Sequence, residues 1–440
     1  MVTLAIFLYI LLFIIFYFGI NANGGVGIGV RFYYFFITFL NLGIGPLLYL
    51  VFGGVPVFES LIESVLYCIG CEIVFVVFAY YVWPTVVFYI LTNKTGSLPD
   101  VDKATLNEKI SIPALLIGIT IGPMLTPYLS QVDTFRAFVS HINTLSELGF
   151  LFFVCKYAKF NDLKKFVITL ATFILLSIYR AITGGFLGGS LLYVAFLCCV
   201  YLFWKKITFL RIILLIILGC ICILPYQAWL TSRAEIRNSI NGETELALMD
   251  RLNLFINGFE NTLLSVKNED IADGKSLGEI YAERGDFSTL MQAAIIYTPE
   301  FQPFGGGVTY ETAMIAWIPR IIWPDKPFSL GGSKFVSQYT GIKFSENVSV
   351  GMNYLFEAYV NFGFIGGVVS MIIISFMLTF MDILFIVSNK SLYKIMIVLV
   401  MIGLCSRSDT FADMVMTSGS ALVVAIGFWI FLKILYKDLV

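Results

Sequence analysis

Apolar runs of about 20 residues recur from one end of this chain to the other, and only residues 231–350 interrupt them for long. A helix of that length crosses the hydrocarbon core of a bilayer with every backbone N–H and C=O bonded inside its own segment. The runs define about eleven spans, at 1–20, 31–52, 63–91, 110–128, 143–158, 166–181, 186–204, 207–230, 353–382, 395–406 and 414–436. The expected fold is therefore an all-α integral membrane protein, a polytopic bundle with one large, partly helical extramembrane loop. It divides into 1–230 (an N-terminal bundle of about eight helices), 231–350 (the loop, with an interfacial segment) and 351–440 (about three more helices). Composition agrees. Charged residues make up 13% of the chain, against about 25% in soluble domains, and mean hydropathy is +0.89.

Positive charge in short loops orients such a bundle. Lys94, Lys103 and Lys109 follow the third span, Lys156, Lys159, Lys164 and Lys165 the fifth, and Lys205, Lys206 and Arg211 the seventh. Lys390 and Lys394 follow the ninth, and Lys433 and Lys437 lie near the C-terminus. The alternate short loops carry only Arg136 and Arg407. This puts the C-terminus in the cytoplasm and both the large loop and the N-terminus outside. Residues 1–20 lack a positive n-region and a clear small-residue cleavage site, so they read as a retained helix.

Several function classes lose ground here. A net charge of −1 without a basic cluster argues against nucleic acid as a partner. The eight cysteines lie in or beside apolar segments, so the loop needs no disulfide, and Cys68-x-x-Cys71 lacks companion ligands. His141 is the sole histidine and reads first as an interfacial hydrogen-bonding group. No metal or other cofactor is expected. A carrier built from duplicated halves would show a repeat, and none is visible.

Polar groups at membrane depth are costly and mark candidate sites. Arg180 ends the sixth span before Gly184-Gly185 and Gly188-Gly189; it suits a diphosphate fork or snorkels to water. Arg284 stands among Glu283 and Asp286, where a loop ion pair is the plain alternative. Arg320 and Lys326 bracket Trp323-Pro324, a sugar platform or an interfacial hairpin. Asn353, Glu357 and Asn361 recur every four residues and share a helix face. Glu357 there is either a general base or the partner of a buried arginine. Arg407 and Asp409 form a local ion pair or, at an external mouth, a second diphosphate site with Asp409 as the reserve base. Residues 246–264 carry a helical pattern through Leu248, Leu252, Phe255, Ile256 and Phe259, with Asp250 as its N-cap or an arginine's partner. Gly305-Gly306-Gly307 reads as a flexible turn.

From 281 to 367 the chain resembles the bacterial Wzy-type polymerases of O-antigen and related polysaccharide repeat units. The resemblance rests on Arg284-Gly285-Asp286, Pro299, Gly305-Gly-Gly-Val-Thr-Tyr310, Pro319-Arg320-x-x-Trp323-Pro324-x-Lys326-Pro327 and Glu357-Ala-Tyr-Val-Asn361-Phe-Gly363. Arg180 before its glycine-rich turn follows the same pattern. The resemblance implies an inner-membrane glycosyltransferase with its large loop in the periplasm. It would transfer a growing glycan from undecaprenyl diphosphate to the non-reducing end of a lipid-linked repeat unit. Glu357, Arg180, Arg284 and Arg407 would be catalytic. Arg136, Arg320, Trp323, Lys326, Asn353, Asn361 and Asp409 would bind substrate. Partners would be undecaprenyl-diphosphate-linked oligosaccharides, the bilayer and a chain-length-regulating co-polymerase. An O-antigen ligase, transferring glycan to lipid A core, would place a histidine in the large loop, and 231–350 has none. A lipid-linked oligosaccharide flippase would show a repeat and charged cavities, and a non-catalytic assembly scaffold would show no activity on lipid-linked units.

Overall fold

The computed structural model describes residues 2–25, 29–42, 58–94, 108–129, 133–184, 188–204, 208–240, 246–268, 288–316, 323, 332–344, 353–404 and 411–436. Regular structure among them is helical. The helices are α1 (Val2–Ala22), α2 (Val30–Leu42), α3 (Phe58–Val77), α4 (Trp83–Thr92), α5 (Glu108–Leu116), α6 (Gly122–Leu129), α7 (Asp133–Phe160), α8 (Leu163–Gly184), α9 (Gly188–Leu202) and α10 (Phe209–Ile240). They continue with α11 (Leu248–Asn268), α12 (Ser288–Tyr297), α13 (Val308–Ala316), α14 (Gly332–Thr340), α15 (Tyr354–Val387), α16 (Ser391–Leu404) and α17 (Phe411–Leu435).

A helix lies at each predicted span. Six stretches are long and apolar enough to cross a bilayer: Leu4–Ala22, Ile62–Thr92, Lys109–Thr126, Leu163–Thr183, Tyr354–Val387 and Thr417–Leu435. The chain is a multi-pass membrane protein. Two of the crossings contain a π turn, Phe78–Val82 between α3 and α4 and Ile117–Ile121 between α5 and α6. Pro84 and Pro123 follow directly. A proline lacks the N–H for the bond to the preceding turn, and a widened turn accommodates the loss. Beyond the sequence expectation, α10 continues past residue 230 to Ile240, and α7 begins at Asp133, ten residues before its predicted span.

The chain forms two compact units: residues 1–24, 28–152 and 281–440, and residues 25–27 with 153–280. In the second, Ala181 of α8, Ala228, Trp229 and Ile236 of α10 and Phe255 of α11 make the core. The α11 pattern is only partly a packing face, since Leu248 and Ile256 are exposed. Gly258 lies against the Ala228 carbonyl instead, where an added Cβ would come within 2.8 Å of the oxygen. Asp250 sits inside the first turn of α11 and accepts from the Ala247 N–H at 3.1 Å, half of a capping box.

In the first unit α3 and α15 pack side by side. The Tyr67 hydroxyl, midway along α3, donates to the Leu355 carbonyl at the start of α15, and Thr379 donates to Ala79 O further along. The two helices therefore run parallel. Gly367 faces Tyr67 so closely that a Cβ would overlap the phenol oxygen. Toward the C-terminal end of α15, Asp382 accepts from Arg31 Nε at 2.7 Å and from the Val30 and Arg31 backbone N–H groups, capping α2. Arg31 Nη1 donates to Ala79 O at 2.7 Å inside the π turn, and the guanidinium lies 4.7 Å from the Tyr80 ring centre. Both charged side chains are buried.

Candidate functional site

The site forms where α15 begins and then breaks. Asn353 sits in extended backbone ahead of the helix, and its Oδ1 accepts from Leu355 N at 2.8 Å. Ten residues on, Gly363 leaves the helix with φ 66° and ψ −157°, a conformation essentially restricted to glycine. The break removes the helical donors for the carbonyls just before it. The triglycine turn replaces them: Gly305 N donates to Val360 O at 2.9 Å and Gly306 N to Asn361 O at 3.1 Å. Gly307 N donates to Asn361 Oδ1 at 3.0 Å, while Asn361 Nδ2 donates to Thr309 Oγ1 and Glu357 O, both at 2.8 Å. What reads in sequence as a flexible turn is thus pinned onto a broken membrane helix, and it leads directly into α13.

Glu357 lies one turn ahead of Asn361 and is fully buried. Its Oε2 accepts from Phe411 N at 2.6 Å, the first residue of α17. A carboxylate at a helix N-terminus is favoured by the unpaired amides and the dipole there. Around it stand aromatic rings. Tyr310 of α13 stacks on Phe362 with centres 5.7 Å apart and lies 5.2 Å from Phe411, and Tyr354 lies 6.1 Å from Phe411. The Tyr310 hydroxyl is buried, with the hydroxyls of Tyr354 and Ser370 beside it. Burial, reinforced by Tyr354 and Glu357, pushes its phenol well above the ordinary range, so it is a neutral donor. The constellation joins an acidic acceptor to a phenolic donor in a dry setting, which suits proton transfer.

Asn353, Glu357 and Asn361 come together on α15, all buried. Asn353 caps the helix, and Asn361 ties the triglycine turn and Thr309 to it. Arg180 lies half-buried near the end of α8, in the second unit, next to Ala181 of that core. Arg136 is in the first turn of α7. Trp323 is 40% exposed. Arg284, Arg320, Lys326, Arg407 and Asp409 lie outside the described residues. His141 is buried in α7 and meets the Thr417 backbone of α17. Among the described residues no three His, Cys, Asp or Glu side chains gather to hold a metal.

Sequence reading quotes Tyr310 as the end of the Gly305–Tyr310 motif and assigns it no role. It passes over Arg31, Asp382 and Glu72, although each is an ionisable residue in an apolar run. Glu72 is buried in α3, and no hydrogen bond among the described residues reaches its carboxyl oxygens.

The family model described as Domain of unknown function (DUF8712) matches residues 98–385, about two thirds of the chain. The chain belongs to this family. The DUF8712 match takes in the triglycine turn, Tyr310, Glu357 and the break at Gly363, and it ends before Phe411. No curated protein and no solved structure matches the chain.

Proposed function

We propose that this protein is a polysaccharide polymerase of the Wzy type. It would transfer a growing glycan from undecaprenyl diphosphate to the non-reducing end of a lipid-linked repeat unit. The observation that carries the reading is the Glu357 carboxylate, fully buried beside a phenol donor and bonded to the N–H of Phe411. Arg407 and Asp409 stand four and two residues ahead of Phe411 in the sequence. In the reaction, the acceptor hydroxyl gives its proton to Glu357 as its oxygen bonds to the anomeric carbon. The bond from that carbon to the diphosphate oxygen breaks, with inversion, and undecaprenyl diphosphate leaves. Arg407 and Arg284 would stabilise the leaving charge, with Arg320 assisting.

In this reading the chain crosses the bacterial inner membrane about eleven times, with residues 231–350 in the periplasm and a chain-length-regulating co-polymerase as its partner. The parallel course of α3 and α15 supports the arrangement. Parallel spans need an odd number of crossings between them, and five predicted spans intervene.

The surface glycan of a deletion strain tests the reading. A single repeat unit capped on core is expected. Undecorated core would point to a ligase or a flippase and overturn it. Single introduced cysteines near Ser288 should label from outside whole cells, and labelling only after the inner membrane is breached would overturn the topology.

A further inference from the structure

Contacts on either side of Gly363 show that α15 folds back on itself there. In an unbroken helix Leu355 and Gly367 would stand about 18 Å apart. Here one phenol oxygen, that of Tyr67, meets both. A Cβ at Gly366 would come within 2.6 Å of Ala358 O, and Ser370 lies in hydrogen-bonding reach of Tyr354. These pairs run in opposite directions away from the corner. Tyr354–Phe362 is thus a short arm laid back along the helix, and Phe364–Val387 makes the crossing by itself. That stretch rises about 36 Å, against about 30 Å of hydrocarbon. The corner at Gly363 therefore lies at the membrane boundary.

The triglycine turn sits on this corner. Phe304 packs against Gly363 and, edge-on, against Tyr359, while Gly307 packs against Phe362. On the crossing helix the first residues, Phe364 and Ile365, are exposed, Ile365 by 77%. In the turn Phe301, Phe304 and Val308 are exposed as well, Phe301 by 64%. The turn thus bares large apolar side chains at the height where the lipid-facing surface of a crossing helix begins. It continues the surface that the bilayer covers.

We propose that residues 301–308 insert into the lipid interface as a shallow anchor. The inference stands apart from the polymerase reading. Glu300 and Glu311 are exposed on either side of the turn, so the rings enter below the headgroups while the carboxylates stay among them. The chain thereby enters the membrane without crossing it, inside the stretch that hydropathy assigns to the extramembrane loop. The anchor leads directly into α13 and fixes that helix, with Tyr310, at the membrane surface.

The test uses the full-length protein in nanodiscs, with a nitroxide on a single introduced cysteine. Phe301→Cys and Val308→Cys report on the turn from exposed positions. Ile373→Cys, exposed on the crossing helix, gives the lipid reference, and Lys334→Cys, exposed on α14, gives the water reference. The wild-type chain, with Cys68, Cys71, Cys155, Cys198 and Cys199 buried, gives the labelling background. The ratio of oxygen to water-soluble nickel chelate accessibility should be several-fold higher at 301 and 308 than at 334, and lower than at 373. Nickel accessibility at 301 and 308 equal to that at 334 would place the turn in water and overturn the anchor. Protection from both reagents would mean that a second copy or another protein covers the turn, and would overturn it equally.

Discussion

The two ends of α15 both bury a carboxylate, and they treat it in opposite ways. At the C-terminal end Asp382 is matched by a full charge, Arg31, and by two further backbone N–H groups, with the guanidinium also tied to Ala79 O and lying over Tyr80. The helix there is regular. At the N-terminal end Glu357 is bonded to the Phe411 N–H, its neighbours include the neutral phenols Tyr310 and Tyr354, and the helix breaks six residues later. A carboxylate satisfied by an arginine and an α-helix cap is a structural joint. One held by a helix N-terminus, beside buried phenols and a broken backbone, is the candidate for chemistry. The same physics, the cost of a charge out of water, yields a fastening at one end and a candidate site at the other.

The sharpest way to break this contrast is to neutralise each carboxylate. Glu357→Gln keeps an oxygen to accept from Phe411 N and loses basicity. We expect thermal stability in detergent near wild type and lengthening of lipid-linked glycan slowed about 10²–10⁴-fold. Wild-type chain lengths from this variant would make Glu357 a structural joint too. Asp382→Ala should act in the other sense, costing about 3–5 kcal/mol by stranding the buried Arg31. Pairing it with Arg31→Met should recover most of that loss, because no charge is then left buried. Thermal melts of the single and double variants read this directly; equal instability in both would show that the pair does not act as a unit.

Smaller effects sharpen the picture of the broken end. Gly363→Ala forces a Cβ into a conformation that glycine alone adopts with ease, and should cost about 1–3 kcal/mol. Because the triglycine turn docks on the carbonyls that this break releases, proteolysis around 305–307 should accelerate in the variant. Unchanged cleavage would separate the turn from the break. Asn353→Ala removes the cap of α15 and should cost about 1 kcal/mol in a thermal melt. A large loss of activity at normal stability would instead assign Asn353 a contact with substrate.

Much of the helical layout was legible beforehand because a membrane helix satisfies its own backbone. Its position follows from local apolar length, without reference to any neighbour. The pattern in 246–264 likewise located α11, and the four-residue spacing of Asn353, Glu357 and Asn361 placed them on one face. Which face of a span is buried was not legible. In α1 the buried Tyr9, Leu12 and Phe16 are no more apolar than the exposed Phe7, Ile10 and Phe13, so hydropathy does not distinguish them. The glycines illustrate the same limit. Gly363 and Gly367 stand four residues apart with nothing in sequence to tell them apart; tertiary structure makes Gly367 the contact for Tyr67 and Gly363 the break. Arg31 and Asp382 are 351 residues apart, and Glu357 and Phe411 are 54 apart. Sequence shows that each charge needs a partner, since hydrocarbon supplies none. Only the packing of one helix against another decides which partner it receives, Arg31 for Asp382 and the first amide of α17 for Glu357.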